Sequence, residues 1–360
     1  MSGGIAQLVA IGAQDAHIVG KPEVSFFRSN FKRHTNFAQT VERQVIQGNP
    51  SSGGMSTVRF ERKGDLLSYV YLAPNDGTQA KRYTMSAWMN YVNKIELLIG
   101  GQVIDEHTST FSQLIAPKIF AQNHAKTENF NVSDPSKKYY PIRFSFCENW
   151  QSAIPLIALQ YHDVEIRITW GTLPPDVKWE CYAHYIYLDT EERTVLSGTP
   201  QNMLITQTQR AIASSTRIQE INFNHPVKLL VASTTHSGKL AIADATNKIK
   251  LQINGTDVTD YKYVDPHYTS ITPYYHTSFF NPNDQQLSGS GDSIDHDTSF
   301  FMYPFCLDTS KLQPTGSLNF SRIDSARLVC DIKSHDADIY GINYNILRIE
   351  NGMGGLMYSN

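Results

Sequence analysis

Apolar and polar residues alternate with a period of two at several places along the 360-residue chain. The clearest stretch is Gln160–Trp170. His162, Val164, Ile166, Ile168 and Trp170 fall on one face, and Tyr161, Asp163, Glu165, Arg167 and Thr169 on the other. Strand side chains point alternately to opposite faces, so the first set is expected in a core. His162 goes with it as a hydrogen-bonded core histidine rather than a ligand. Ala326, Leu328, Cys330 and Ile332 alternate with Arg327, Val329, Asp331 and Lys333 in the same way. Val58-Arg59-Phe60-Glu61 is a third case, after which Lys63-Gly64-Asp65 turns the chain into an apolar run over 66–72. Helical signals are few. Thr108 can cap a helix carrying Phe111, Leu114 and Ile115, which Pro117 kinks or ends. The pattern predicts a mainly β protein with short helices in its loops.

The chain also echoes itself. Asn93-Lys94-Ile95-Glu96-Leu97-Leu98-Ile99-Gly100-Gly101 resembles Asn247-Lys248-Ile249-Lys250-Leu251-Gln252-Ile253-Asn254-Gly255, at an offset of 154 (247 − 93). In both, alternating Ile and Leu run into a two-residue turn of hairpin type. Phe144-Ser145-Phe146-Cys147 is echoed by Tyr303-Pro304-Phe305-Cys306, at 159 (306 − 147). Two echoes in one order at near-equal offsets predict two copies of one β domain. The charged run Asp189-Thr190-Glu191-Glu192-Arg193, followed by Ser197-Gly198-Thr199-Pro200, has linker chemistry. The expected layout is an arm over 1–26, a first domain over 27–190, a linker over 191–198 and a second domain over 199–360. Strand and turn spacing in each half suits an eight-stranded sandwich of the jelly-roll type, which composition does not separate from other β-sandwiches.

Composition narrows the function. A net charge of −3 provides no global basic field for nucleic acid. Cys147, Cys181, Cys306 and Cys330 fit no zinc spacing and read as reduced thiols of an intracellular protein. No basic leader precedes the short apolar stretch near the N-terminus, and no apolar run approaches a membrane span. Metalloprotease, phosphate-loop and nucleophile-elbow motifs are missing, as are the paired histidines of a metal-binding cupin. Neither a catalytic residue, a metal nor a cofactor is expected. Asp163 and Glu165 share a strand face, as any alternating strand allows, and do not define a glycosidase pair. The loop 288–298, with Asp292, Asp295, His296 and Asp297, lacks calcium-loop spacing and reads as a solvated acidic loop. His267, Tyr274, Tyr275 and His276 read as interface or loop packing before a sugar site. Sequons occur at Asn131, Asn254 and Asn319, and Asn254 is better explained as a hairpin-turn residue.

Basic and aromatic residues interleave from Arg28 to Phe37. Such a segment can stack on single-stranded nucleic acid or anchor against protein. The acidic balance of the chain favours protein. Here a family resemblance enters. Gly12-Ala13-Gln14-Asp15, Gly20 and Pro22, Phe26-Phe27, and Lys32-Arg33-His34-Thr35-Asn36-Phe37 resemble the N-terminal signature of major capsid proteins of nucleocytoplasmic large DNA viruses, especially the phycodnavirus kind. Further similar blocks run from Pro155 to Val164, Leu188 to Arg193, Asn222 to Pro226, Asn319 to Asp324, and through Gly352-Met353-Gly354-Gly355-Leu356. The loops 234–247 and 280–298 are shorter than in many members of that family, which weighs against a surface-glycan or host-recognition role.

The resemblance implies two tandem eight-stranded jelly rolls, a homotrimer forming a pseudo-hexameric capsomer, and an icosahedral virion capsid assembled inside the host cell, in the cytoplasm. It implies neighbouring capsomers, minor capsid and penton proteins as partners, an inner viral membrane beneath the shell, and no specific nucleic acid. Ile5, Leu8, Val9, Phe26, Phe27, Arg28, Lys32 and Arg33 are the expected assembly arm. A carbohydrate-binding β-sandwich and a jelly-roll enzyme are the competing classes. Monomeric glycan binding, or a co-purifying metal or hydrolase activity, would favour them.

Overall fold

The computed structural model describes residues 4–5, 12–122, 126, 138–234, 239–278 and 299–359. It divides into two compact units, Met1–Asn36 and Phe37–Asn360. Among its described residues the first holds a short helix, α1 (Ala16–Val19), with no buried residue. Strand pairing begins with the second unit at Phe37, ten positions beyond the boundary expected at residue 27.

The first eight principal strands are β1 (Phe37–Gln44), β2 (Met55–Arg59), β3 (Leu66–Asn75), β4 (Val92–Ile99), β5 (Gln102–Thr108), β6 (Tyr140–Pro141), β7 (Val164–Trp170) and β8 (Lys178–Leu188). The second eight are β9 (Gln201–Ala211), β10 (Ile218–Glu220), β11 (Pro226–Ser233), β12 (Lys248–Ile253), β13 (Thr256–Asp257), β14 (Phe300–Pro304), β15 (Ala326–Cys330) and β16 (Ile339–Glu350). Adjoining β16 is β17 (Met353–Leu356). The first set forms sheets ordered β1-β8-β3-β6 and β2-β7-β4-β5, the second β9-β16-β11-β14 and β10-β15-β12-β13. Adding eight to each label of the first pair of sheets gives the second pair. Two antiparallel sheets, each with four principal strands in these crossovers, make a jelly roll, so the chain is a tandem pair.

The sequence echoes sit at equivalent places. Asn93–Gly101 and Asn247–Gly255 are the β4–β5 and β12–β13 hairpins. Gly100 and Gly101 have φ of 58° and 83°, Asn254 and Gly255 of 50° and 78°. Two consecutive positive φ values define the turn that matches strand twist, which explains Gly and Asn there. A third echo was not anticipated. The π-helical turn Phe111–Ile115 runs into α2 (Ala116–Ile119), and its counterpart His267–Ile271 runs into α4 (Thr272–His276). Pro117 and Pro273 occupy the first turn of the second helix in each pair. Proline lacks the N–H that a continuing helix would use, and each segment changes from π to α geometry at its proline, so Pro117 alters the helix there rather than ending it. The expected linker forms α3 (Thr190–Gly198), capped by the Asp189 side chain, which accepts from Thr190 N at 2.7 Å.

The first core gathers the buried residues of β7 with Trp88, Trp179 and Tyr185. The Trp170 indole N–H donates to Ser56 Oγ at 2.9 Å, so a buried polar atom is satisfied. Alternation on β7 follows the sequence reading from Val164 to Trp170. His162 departs from it. The strand starts two residues later, and His162 is half-buried at a seam, with Nδ1 2.8 Å from Gly354 O. It is hydrogen-bonded but not a core residue. Ile332 departs as well, because β15 ends at Cys330 and leaves it exposed.

The second core holds Leu230, Ile249, Leu251, Phe301, Leu328 and Ile339. Among its polar neighbours is fully buried His335, whose Nε2 lies 3.3 Å from Leu328 O. Burial pushes its pKa down from 6.5 to about 4. Between those values the unfolded chain binds a proton that the folded chain does not. The contribution of His335 to stability is therefore complete above about pH 6.5 and is lost as pH falls towards 4, at about 1.4 kcal/mol per unit, or roughly 3 kcal/mol in all. Urea unfolding at stepped pH should show this slope, and His335→Gln should flatten it. Equal slopes for the two proteins would refute the assignment.

Candidate assembly interface

The two jelly rolls meet along a seam built from both. Ile205, Leu347 and Ile349 of the second belong to the core of the first. Thr208 N donates to Asp105 Oδ1 at 2.8 Å, and Thr108 Oγ1 lies 2.8 Å from the Tyr340 hydroxyl. Gln207 Nε2 donates to Ile104 O, while its Oε1 accepts from Asn345 Nδ2 at 2.8 Å. Lys228 lies buried beside this seam, donating to Thr309 O at 2.8 Å, and burial holds its pKa below the ordinary lysine value.

The apolar centre of the seam is a separate cluster. Phe111, Ile115, Ile119 and Phe120 of the first jelly roll pack on Leu229 and Val231 of β11, Phe300 and Met302 of β14, and Tyr340 and Ile342 of β16. These six strand residues alternate with Leu230, Phe301 and Ile339, which face the second core. Sheet β9-β16-β11-β14 is thus buried on both faces, and the 111–120 segment covers its outer one. Lys118 adds a cation over the Phe300 ring at 4.5 Å.

The matching sheet of the first jelly roll, β1-β8-β3-β6, is buried on its inner face by Leu67, Val70, Leu72 and Ala183. Its outer face carries aromatic rings. Tyr69 stacks on His184 at 4.4 Å, and Tyr71 on Tyr182 at 5.3 Å. Tyr139 meets Tyr71 edge-on at 6.0 Å. A cleft of about 540 Å³ opens beside Tyr69, Tyr71 and Tyr139.

In the arm, Ile5, Phe26, Phe27, Arg28, Lys32 and Arg33 are all exposed, Phe27 at 97%. Leu8 and Val9 lie outside the described residues, as do Asn131 and the acidic loop 288–298. Asn254 Oδ1 accepts from Asp324 N and Ser325 N at 2.9 and 3.1 Å, so this side chain fixes a turn. Asn319 Oδ1 accepts from Ser321 N at 3.0 Å in another. The four cysteines are free thiols, and burial raises the pKa of Cys181 to about 12 and of Cys330 to about 11. No group of three His, Cys, Asp or Glu able to hold a metal converges among the described residues.

Tandem jelly rolls sharing one hydrophobic seam define a double jelly-roll protein. Two family models cover both halves, "Major capsid protein N-terminus" over residues 25–177 and "Large eukaryotic DNA virus major capsid protein" over 192–355. The major capsid protein of Pyramimonas orientalis virus is 33% identical over 402 aligned positions that span all of both chains. That of Paramecium bursaria Chlorella virus 1 is 28% identical over 458 positions, again spanning both. Since this chain has 360 residues, the latter relative carries at least 98 that it lacks (458 − 360). The crystal structure of PBCV-1 VP54 superposes with a TM-score of 0.74 at 24% identity, covering 93% of this chain and 100% of that one. The chain belongs to the major capsid proteins of large eukaryotic DNA viruses. It is a structural component of the virion capsid rather than an enzyme, and it associates with itself in that shell.

The outer face of sheet β1-β8-β3-β6 escaped the sequence reading. Its signal is the alternation Tyr69, Tyr71 against Val70, Leu72, which puts aromatic residues on the side away from the core.

Proposed function

We propose that three copies associate into a pseudo-hexameric capsomer, six jelly rolls around one axis, that tiles the facets of an icosahedral shell. The repeated strand order carries the reading, since like domains in tandem present six similar edges from three chains. The chain ahead of Phe37, residues 1–26 included, acts as an assembly arm, followed by jelly rolls that run to residue 190 and over 199–360. The arm's apolar and basic side chains meet neighbouring capsomers and minor capsid proteins on the inner face, with penton proteins at the vertices and an inner membrane below. Synthesis and assembly take place inside the host cell, in the cytoplasm. Light scattering on purified protein should return three times the 40.6 kDa chain mass, roughly 120 kDa, at micromolar concentration. A clean monomer would defeat the capsomer reading.

A further inference from the structure

Within the chain, segment 111–120 covers the outer face of one jelly-roll sheet. Both halves of that contact exist twice. Ile115-Ala116-Pro117 and Ile271-Thr272-Pro273 are 156 positions apart (273 − 117), inside the range of the other echoes. The offset carries Phe111, Ile115, Ile119 and Phe120 onto His267, Ile271, Tyr275 and His276. The first four are buried against the second jelly roll. Of their counterparts, Ile271 is 41% exposed and Tyr275 73%. Exposed Tyr274 meets Tyr275 edge-on at 5.0 Å.

The receiving face is duplicated too. Leu229 and Val231 pair with Ile342 and Tyr340 across β11 and β16. Tyr71 pairs with Tyr182 across the equivalent strands β3 and β8. The former set is covered, whereas Tyr69 on the latter face is 42% exposed. His184 beside it is buried, yet its Nδ1 has no hydrogen-bond partner among the described residues. A buried imidazole nitrogen without a partner is costly unless something else supplies one.

We infer that Ile271, Tyr274 and Tyr275 of one copy seat on the open sheet face of Tyr69, Tyr71, Tyr139 and Tyr182 of a second copy, repeating between chains the contact that joins the jelly rolls within one. The inference rests on the capsomer reading and names its interface. Donor and acceptor are different surfaces of the chain, so the contact is heterologous and propagates until a ring closes. Tyrosines suit both states, since their hydroxyls stay hydrated in the free chain and their rings stack once covered.

The test places Tyr69→Cys and Tyr275→Cys in one full-length chain in which Cys147→Ser removes the free thiol lining the cleft beside Tyr69, and treats it with a short bismaleimide. Covalent dimers and trimers should form, with the trimer as the largest product, and neither single variant should cross-link. In parallel, Tyr275→Glu should reduce the mass seen by light scattering from three chains to one, and adding Tyr69→Lys should restore it. The cross-linking arm decides the matter should a charged variant fail to fold. An unaltered chain that is itself monomeric would remove the capsomer reading and this interface with it. A trimeric chain whose cysteine pair yields no cross-linked trimer, and whose Tyr275→Glu variant stays trimeric, would overturn the interface alone.

Discussion

Phe111→Ala should cost about 3–5 kcal/mol of stability, the usual range for removing a fully buried phenylalanine. Phe111 is completely buried and its ring lies 4.6 Å from His107, 5.7 Å from Tyr340 and 6.4 Å from Phe120. His107 belongs to the first jelly roll and Tyr340 to the second, so the cavity opens at the seam and neither sheet can collapse into it alone. Urea unfolding at fixed protein concentration should show a lower midpoint and, as the jelly rolls uncouple, a transition that broadens or splits. Phe26→Ala in the exposed arm should change stability by less than about 0.5 kcal/mol. A loss below about 1 kcal/mol at Phe111 would mean the seam contributes little.

Deletion of residues 1–36 should abolish shell formation while leaving the capsomer intact. Strand pairing starts at Phe37, so among the described residues the deletion removes no strand of any sheet. What goes is an arm exposing Phe26, Phe27 and Phe31 beside Arg28, Lys32 and Arg33. Burying three such rings against a neighbour offers roughly 5–9 kcal/mol before ordering costs, at about 1.5–3 kcal/mol each. Each 1.4 kcal/mol is about a factor of ten in association, so the loss should remove particles altogether. Electron microscopy would look for shells and light scattering for the capsomer. Normal particles would show the arm dispensable, and loss of the capsomer would show that the arm contributes to the trimer itself.

Local features of the fold were legible in the sequence, and pairings between distant segments were not. The β4–β5 and β12–β13 hairpins follow from a turn that only Gly and Asn adopt easily, next to residues that alternate by themselves. The capped turn after Thr108 was visible for a similar reason, and Thr108 Oγ1 does accept from Phe111 N at 3.4 Å. The seam was hidden because nothing near Phe111 in sequence says that β11 lies across from it. One clue existed in the nearly continuous apolar run Val227–Ala232, since a strand covered on both faces loses its alternation. His162 was misjudged because periodicity gives a face and not a strand end. The two residues before β7 leave the sheet, and the imidazole packs under the β4–β5 turn, where a Cβ on Gly100 would approach Nδ1 to 2.3 Å.

The placement of Leu347 and Ile349 in the first core has a consequence for how the chain emerges from a ribosome. All other side chains of that core apart from Ile205 have been synthesised by Tyr185, but Leu347 follows 162 positions later (347 − 185). At about 5–20 residues per second the nascent first half waits on the order of ten to thirty seconds with an apolar gap open to solvent. It cannot present a finished edge to another chain during that time. Completion of the last long strand is therefore expected to act as a timer for entry into the pool from which shells are drawn.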